Sequence, residues 1–189
     1  MKICIDPGHG MSNRSKNVYD PGATHRENGF MFQEAAIALR YGLTLKDVFR
    51  SKGVDVFMTR DDETDHTPVG SRASMAIAAQ CQAFISLHLN DFDDDTANGL
   101  EVLYRDKEDK TLAQKLQDAL IKITKMRDRE IKQRTDLAVL KFSGTAVLIE
   151  LGFIANDADR EKLLNAQMRD AITQAIASVV IEHLGAVNG

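Results

Sequence analysis

AFISLHL, Ala83 to Leu89, decides the fold: it is a short, almost wholly apolar run of strand length, interrupted only by Ser86 and His88. A run of this kind reads as a strand buried on both faces, which is the habit of parallel or mixed sheets covered by helices. Downstream, AVLIEL (Ala146 to Leu151) repeats the pattern around Glu150, and upstream KICI (Lys2 to Ile5) is an apolar run closed by Asp-Pro-Gly. VDVFMT (Val54 to Thr59) and Gly99 to Tyr104 read as further strands.

Helical periodicity fills the intervals between these strands. From Phe30 to Lys52, residues Ile37, Tyr41, Leu45, Val48 and Phe49 form one apolar stripe, and Gly53 supplies the stop. Arg72 to Gln80 predicts a small-residue helix, and Lys110 to Ile123 an amphipathic one. Asn156 is positioned to cap a short helix ending at Leu164. The last helix spans Met168 to Leu184, with Ile172, Ala175, Ile176, Val179 and Val180 on one face. The alternation predicts a single α/β domain over residues 1–189, a three-layer sandwich whose mostly parallel or mixed central sheet is flanked by helices. Met11 to Gly29 is polar and glycine-containing, so it reads as a long functional loop.

With 189 residues, 43% hydrophobic and 28% charged, the chain can bury one substantial core. Its net charge of −4 (24 basic, 28 acidic residues) comes without a basic block, which disfavours nucleic acid and anionic membrane surfaces as partners. YRDKEDK, Tyr104 to Lys110, mixes both signs and reads as a solvated helix start. Cys4 and Cys81 are too few for a disulfide scaffold and are expected as buried free thiols. Asp6 interrupts any leader-like apolar region, and no stretch approaches a membrane span, so the protein is expected in the cytoplasm as synthesised, without membrane insertion.

Four residues stand where strands end or a helix begins: His9, Glu34, His88 and Glu150. In open α/β sheets the loops leaving the carboxyl edge of the strands converge on one crevice, so distant residues can share a site. Two imidazoles and a carboxylate are a ligand set for a catalytic zinc with an open position for water, and a second carboxylate can carry protons. A lone histidine at a strand end is more often structural, but two with well-placed acids point to a site. Glu150 is the hardest to explain otherwise, because a carboxylate in an apolar strand needs a partner. Asp6, Ser86 and Asn90 are candidates to support the histidines. His25, His66 and His183 are expected at the surface, although His25 and Glu27 could line the cleft.

The strings IDPGHG, DPGA (Asp20 to Ala23), VFMTR (Val56 to Arg60), FISLHLN (Phe84 to Asn90), GLEVLY (Gly99 to Tyr104) and VLIELGFIAN (Val147 to Asn156) resemble, in order, the blocks of the zinc-dependent N-acetylmuramoyl-L-alanine amidases of the Amidase_3 family. The resemblance spans nearly the whole chain. It implies a peptidoglycan hydrolase cutting the amide between N-acetylmuramic acid and the L-alanine of the stem peptide, with one zinc ion held by His9, Glu34 and His88 and with Glu150 as the catalytic glutamate. Glu34 is followed by Ala35 where the family usually carries lysine, and Glu27 is the rival ligand. Glu34 is preferred for its spacing before Thr59-Arg60.

Some bacterial members carry a long helical insertion over the zinc. The interval from Ile123 to Ala138 is short, which implies that no regulatory protein is required. The chain resembles most a phage or prophage endolysin acting in cell-wall lysis, or else a catalytic domain cut from a larger secreted protein. The competing readings are a zinc peptidase cutting within the stem peptide and a non-catalytic wall-binding module of the same fold.

Overall fold

The structure is a computed structural model in which residues 1–92 and 94–187 are described; Asp93, Asn188 and Gly189, which the single-domain reading included, lie outside the described residues. Along the chain run β1 (Lys2–Pro7), the hairpin β2 (Thr24–Glu27) and β3 (Phe30–Gln33), α1 (Glu34–Ser51), β4 (Asp55–Met58), α2 (Arg72–Ala78) and β5 (Ala83–Asn90). They are followed by β6 (Leu100–Tyr104), α3 (Lys110–Thr124), β7 (Asp128–Gln133), β8 (Thr145–Phe153), α4 (Asp157–Leu164) and α5 (Ala166–Val187).

Six strands form one mixed sheet in the order β4-β1-β5-β8-β6-β7. β4, β1, β5 and β8 are parallel neighbours, β6 runs antiparallel to β8, and β7 is parallel to β6. This is the single-domain sandwich that the strand–helix alternation predicts.

The pleat sends alternate residues to opposite faces. Ile3, Ile5, Ile85, Leu87, Val147 and Ile149 pack with Tyr41 and Leu45 of α1, Leu116 of α3 and Ile176 of α5. The other face is thinner: Cys4, Phe84, Leu103, Ala146 and Leu148 meet Ala73 and Ala76 of α2 and the short helical turn at Val139–Lys141. Continuing along that second face, the apolar residues give way to Asp6, Ser86, His88, Glu150 and Glu101. The site lies at this polar end.

Two elements depart from the sequence reading. The long helix begins at Glu34 rather than Phe30, because Phe30–Gln33 pairs antiparallel with Thr24–Glu27 inside the segment read as loop. Asn28 and Gly29 both have positive φ (48° and 83°), the requirement of a tight two-residue hairpin turn. The second is β7, whose sequence DREIKQ is polar because it is an edge strand with only half-buried Arg129 and Ile131 facing inward. Asn156 does cap α4, its Oδ1 accepting from the Asp159 amide at 3.1 Å. No helix among the described residues is long and apolar enough to cross a membrane.

Candidate active site

Glu34 is the centre of the cluster. It opens α1, where the positive end of the helix dipole favours a carboxylate, and it is almost fully buried. Its Oε2 accepts from the Ala23 amide at 2.8 Å and lies 3.0 Å from His9 Nε2; its Oε1 accepts from the Leu89 amide at 2.9 Å and lies 2.9 Å from His88 Nδ1. Burial opposes ionisation, but the two imidazoles hold the carboxyl well below the usual range. The imidazole rings are 5.0 Å apart, centroid to centroid.

His9 sits in a left-handed backbone conformation (φ 61°), which few residues adopt without support. Arg72 supplies that support: Nη2 donates to the His9 carbonyl at 2.5 Å and Nη1 to the Pro7 carbonyl at 2.9 Å. Asp6, fully buried beneath, takes Arg72 Nη1 at 3.0 Å, Thr59 Oγ1 at 2.6 Å and Ser86 Oγ at 2.7 Å. Arg60 joins the same loop to α1, donating from Nη2 to the carbonyls of Gly8 and Ala35, each at 2.7 Å. Asp6 and Ser86 therefore steady the loop from below and do not touch an imidazole. Asn90 bonds Glu101 instead, at 3.1 Å.

Asp20 accepts from His9 Nδ1 at 2.9 Å. With that proton committed to Asp20, the Nε2 lone pair faces the Glu34 carboxylate, an arrangement that is repulsive unless a proton or a cation lies between them. Burial lowers the His9 pKa, yet Glu34 and Asp20 carry it up to about 9, the electrostatic mark of a place built for positive charge. One donor atom each from His9, Glu34 and His88 lies within 4.8 Å of the others. Two imidazoles and a carboxylate are zinc donors, so the residues fit the metal that the sequence implies.

Glu150 is the Cα partner of His88 across the β5–β8 ladder. Its Oε2 is buried and has no hydrogen-bond partner among the described residues. Burial, with the charges of Glu34 and Glu101 adding to it, pushes its pKa up to about 7 against the opposing pull of His88 and His9. A carboxyl poised there can exchange a proton near neutral pH.

The rival Glu27 lies outside the cluster, bonded to Arg160 at 2.9 Å. His25 is on the hairpin, and His66 bonds the Asn13 carbonyl at 2.9 Å. His183, expected at the surface, is buried at 8% exposure because it stands on the inner side of α5, and Cys81 is only half-buried.

Sequence reasoning did not assign roles to Asp20, Gly8, Gly22 or Arg72. A Cβ at Gly8 would stand 2.4 Å from the His88 ring, and one at Gly22 would stand 2.5 Å from Glu34 Oε2. The available signal was the repeated Asp-Pro-Gly, Asp6 to Gly8 and Asp20 to Gly22, each copy placing a glycine against a ligand candidate.

The sequence profile of the N-acetylmuramoyl-L-alanine amidase family matches residues 3–182. The chain belongs to this family. Among its relatives, the probable cell wall amidase LytH of Staphylococcus epidermidis is 30% identical over 92% of this chain and 55% of its own length. The N-acetylmuramoyl-L-alanine amidase LytC of Bacillus subtilis is 31% identical over 92% of this chain and 34% of its own. The chain thus spans about half or less of these curated relatives. The crystal structure of an N-acetylmuramoyl-L-alanine amidase from Clostridium difficile 630 matches with a TM-score of 0.85 at 29% identity, covering 97% of this chain and 96% of that one. Within the amidase family, the mixed sheet and its flanking helices are therefore the expected scaffold.

Proposed function

We propose that this protein is a zinc-dependent peptidoglycan hydrolase that cleaves the amide between the lactyl group of N-acetylmuramic acid and the L-alanine of the stem peptide. The observation that carries it is the buried Oε2 of Glu150, without a hydrogen-bond partner among the described residues, beside the His9–Glu34–His88 cluster. Membership of the family and the amidase names of the relatives support it.

Held by His9, Glu34 and His88, zinc would supply a Lewis acid for the carbonyl and lower the pKa of water toward 7. Asp20 keeps His9 in the tautomer that presents Nε2. Arg72 and Asp6 hold the His9 loop, so the ligand geometry is set before substrate arrives. Glu150 takes the proton of the attacking water at Oε2 and returns it to the alanine nitrogen as the amide breaks. No residue needs to form a covalent bond to substrate.

The described fold acts in this reading as one catalytic domain. The interval from Ile123 to Ala138 holds the end of α3 and the edge strand β7, which supports an enzyme working without a regulatory protein. Wall lysis is the role we infer. The catalytic domain of the CD27L endolysin shares the fold with a TM-score of 0.73 at 25% identity.

Digestion of purified peptidoglycan, read by mass spectrometry, tests the proposal. It expects free lactyl ends and peptides beginning with alanine, lost with a chelator and restored by zinc. Cuts confined to the peptide would replace it with a peptidase, and sedimentation on walls without any cut would replace it with a binding module.

A further inference from the structure

His88, Glu150 and Glu101 form a row across three neighbouring strands: His88 pairs with Glu150 between β5 and β8, and Glu150 pairs with Glu101 between β8 and β6. β7 extends the row by one strand. Its register with β6 slips between Leu100 and Val102, leaving Arg129 and Glu130 both opposite Glu101. Glu130 takes the left-handed conformation (φ 63°), so this is a bulge, a device that re-aims a side chain beside a site.

The side chain it aims is Arg129. Nε donates to Glu101 Oε2 at 2.8 Å, and the guanidinium carbon lies 4.8 Å from the Phe153 ring centroid. Lys132 reaches the same Glu101 oxygen. Two anchors therefore fix the plane of the guanidinium, while Nη1 and Nη2 make no hydrogen bond among the described residues. The side chain is 26% exposed and lines an open cavity of about 260 Å³ with Arg127, Asp128, Glu130 and Lys132. A planar fork, held by one edge and open at the other, matches a carboxylate bidentately and with little entropy left to lose.

We propose that Arg129 is a specificity residue that binds a carboxylate on the peptide part of the substrate. The inference rests on the amidase reading. Neighbouring strands are about 4.8 Å apart, so β7 lies roughly 10 Å from β8, a span of about three extended residues from the cut. Stem peptides can present a carboxylate at their second residue or on a diaminopimelate at their third, and both fall within that reach. Glu101 is a positioning residue: it orients the fork, and the two cations offset its own charge.

The experiment compares kcat/KM on three muropeptides: one unamidated, one amidated at the second-residue carboxylate and one amidated at the third. For the wild type, a roughly tenfold preference for the free acid is expected at one of these positions, which identifies the carboxylate bound. R129A should bring that ratio to about one, mainly through a rise in KM for the free acid. R129K keeps a cation on Glu101 and should recover only part of the preference. Because the ratio is taken within one preparation, partial unfolding cannot move it. Binding of the free stem peptide to metal-free protein should show the same pattern. A wild type indifferent to both amidations, or an R129A that slows all three substrates equally, overturns the assignment. Absence of cleavage of any substrate by the wild type would overturn the amidase reading itself.

Discussion

Glu150 stands directly across the ladder from His88, on the same face of the sheet, with its Oε2 buried and without a hydrogen-bond partner among the described residues. The parallel register of β5 and β8 places the proposed proton carrier beside a ligand candidate without using any loop. That rigidity makes the two roles separable by mutation.

Glu150→Gln keeps the shape of the side chain and removes the proposed base. Zinc content, measured by elemental analysis, should stay near one per chain, while release of stem peptides should fall by roughly 10²–10⁴-fold, the range for loss of general acid–base catalysis. Full activity in this variant would remove Glu150 from the mechanism.

The raised pKa of Glu150 has a stability consequence in the metal-free protein. An unfolded glutamate titrates near 4.3, whereas the native group holds its proton up to about 7. Between those values the native state binds more protons, so this contribution is complete below about 4.3 and is lost as pH rises toward 7. Urea unfolding at pH 5 and pH 7.5 should therefore show Glu150→Gln gaining about 1–3 kcal/mol relative to wild type at the higher pH. A difference independent of pH would contradict the burial argument.

Asp20→Asn removes the charge that holds His9 Nδ1 at 2.9 Å while leaving the size of the side chain. Zinc affinity, from chelator competition, should weaken by about 10–100-fold, the usual effect of losing a group that orients a ligand. Unchanged affinity would mean that His9 does not need this carboxylate.

Gly22→Ala tests the approach of backbone to site. The new Cβ would meet Glu34 Oε2 at 2.5 Å and the His9 ring at 2.7 Å, on a backbone with φ of +67°. Stability should fall by about 1–3 kcal/mol from the strained conformation alone, and zinc binding should weaken with it. Gly29→Ala, where nothing lies within 4 Å, is the control, since it too has positive φ but meets no ligand.

Asp6 and Arg72 are a buried pair, 0% and 1% exposed along their side chains. Asp6→Ala leaves the guanidinium without its countercharge, and a loss of about 3–5 kcal/mol in urea unfolding is expected. A cost below 1 kcal/mol would show that the carbonyls of Pro7, His9 and Thr67 satisfy Arg72 by themselves.

Periodicity made most of the framework legible: the apolar runs at β1, β5, β6 and β8 and the helical stripes at α1, α3 and α5 are strong because both faces of the sheet are covered. It failed where burial is partial. The stripe of α1 runs back into Phe30-Met31-Phe32, so periodicity alone extends the helix over the hairpin strand despite the Asn-Gly turn before it. β7 has a single half-buried aliphatic residue, Ile131, and an edge strand with a bulge leaves no alternating pattern to follow.

By itself the sequence determined which chemistry was available: two histidines and two glutamates at strand ends or a helix start, in the ordered blocks of one family. Those placements follow from local rules, since apolar runs must be buried and chains must turn at their ends. The tertiary structure decided which groups act together. Only the folded register puts Glu150 beside His88, sends Glu27 away to Arg160, brings Asp20 to His9 Nδ1, and lines up Glu101 and Arg129 on the same row. The physical reason is that hydrogen-bond geometry and charge pairing act over a few ångströms, and such distances between residues far apart in the chain exist only once the sheet has formed.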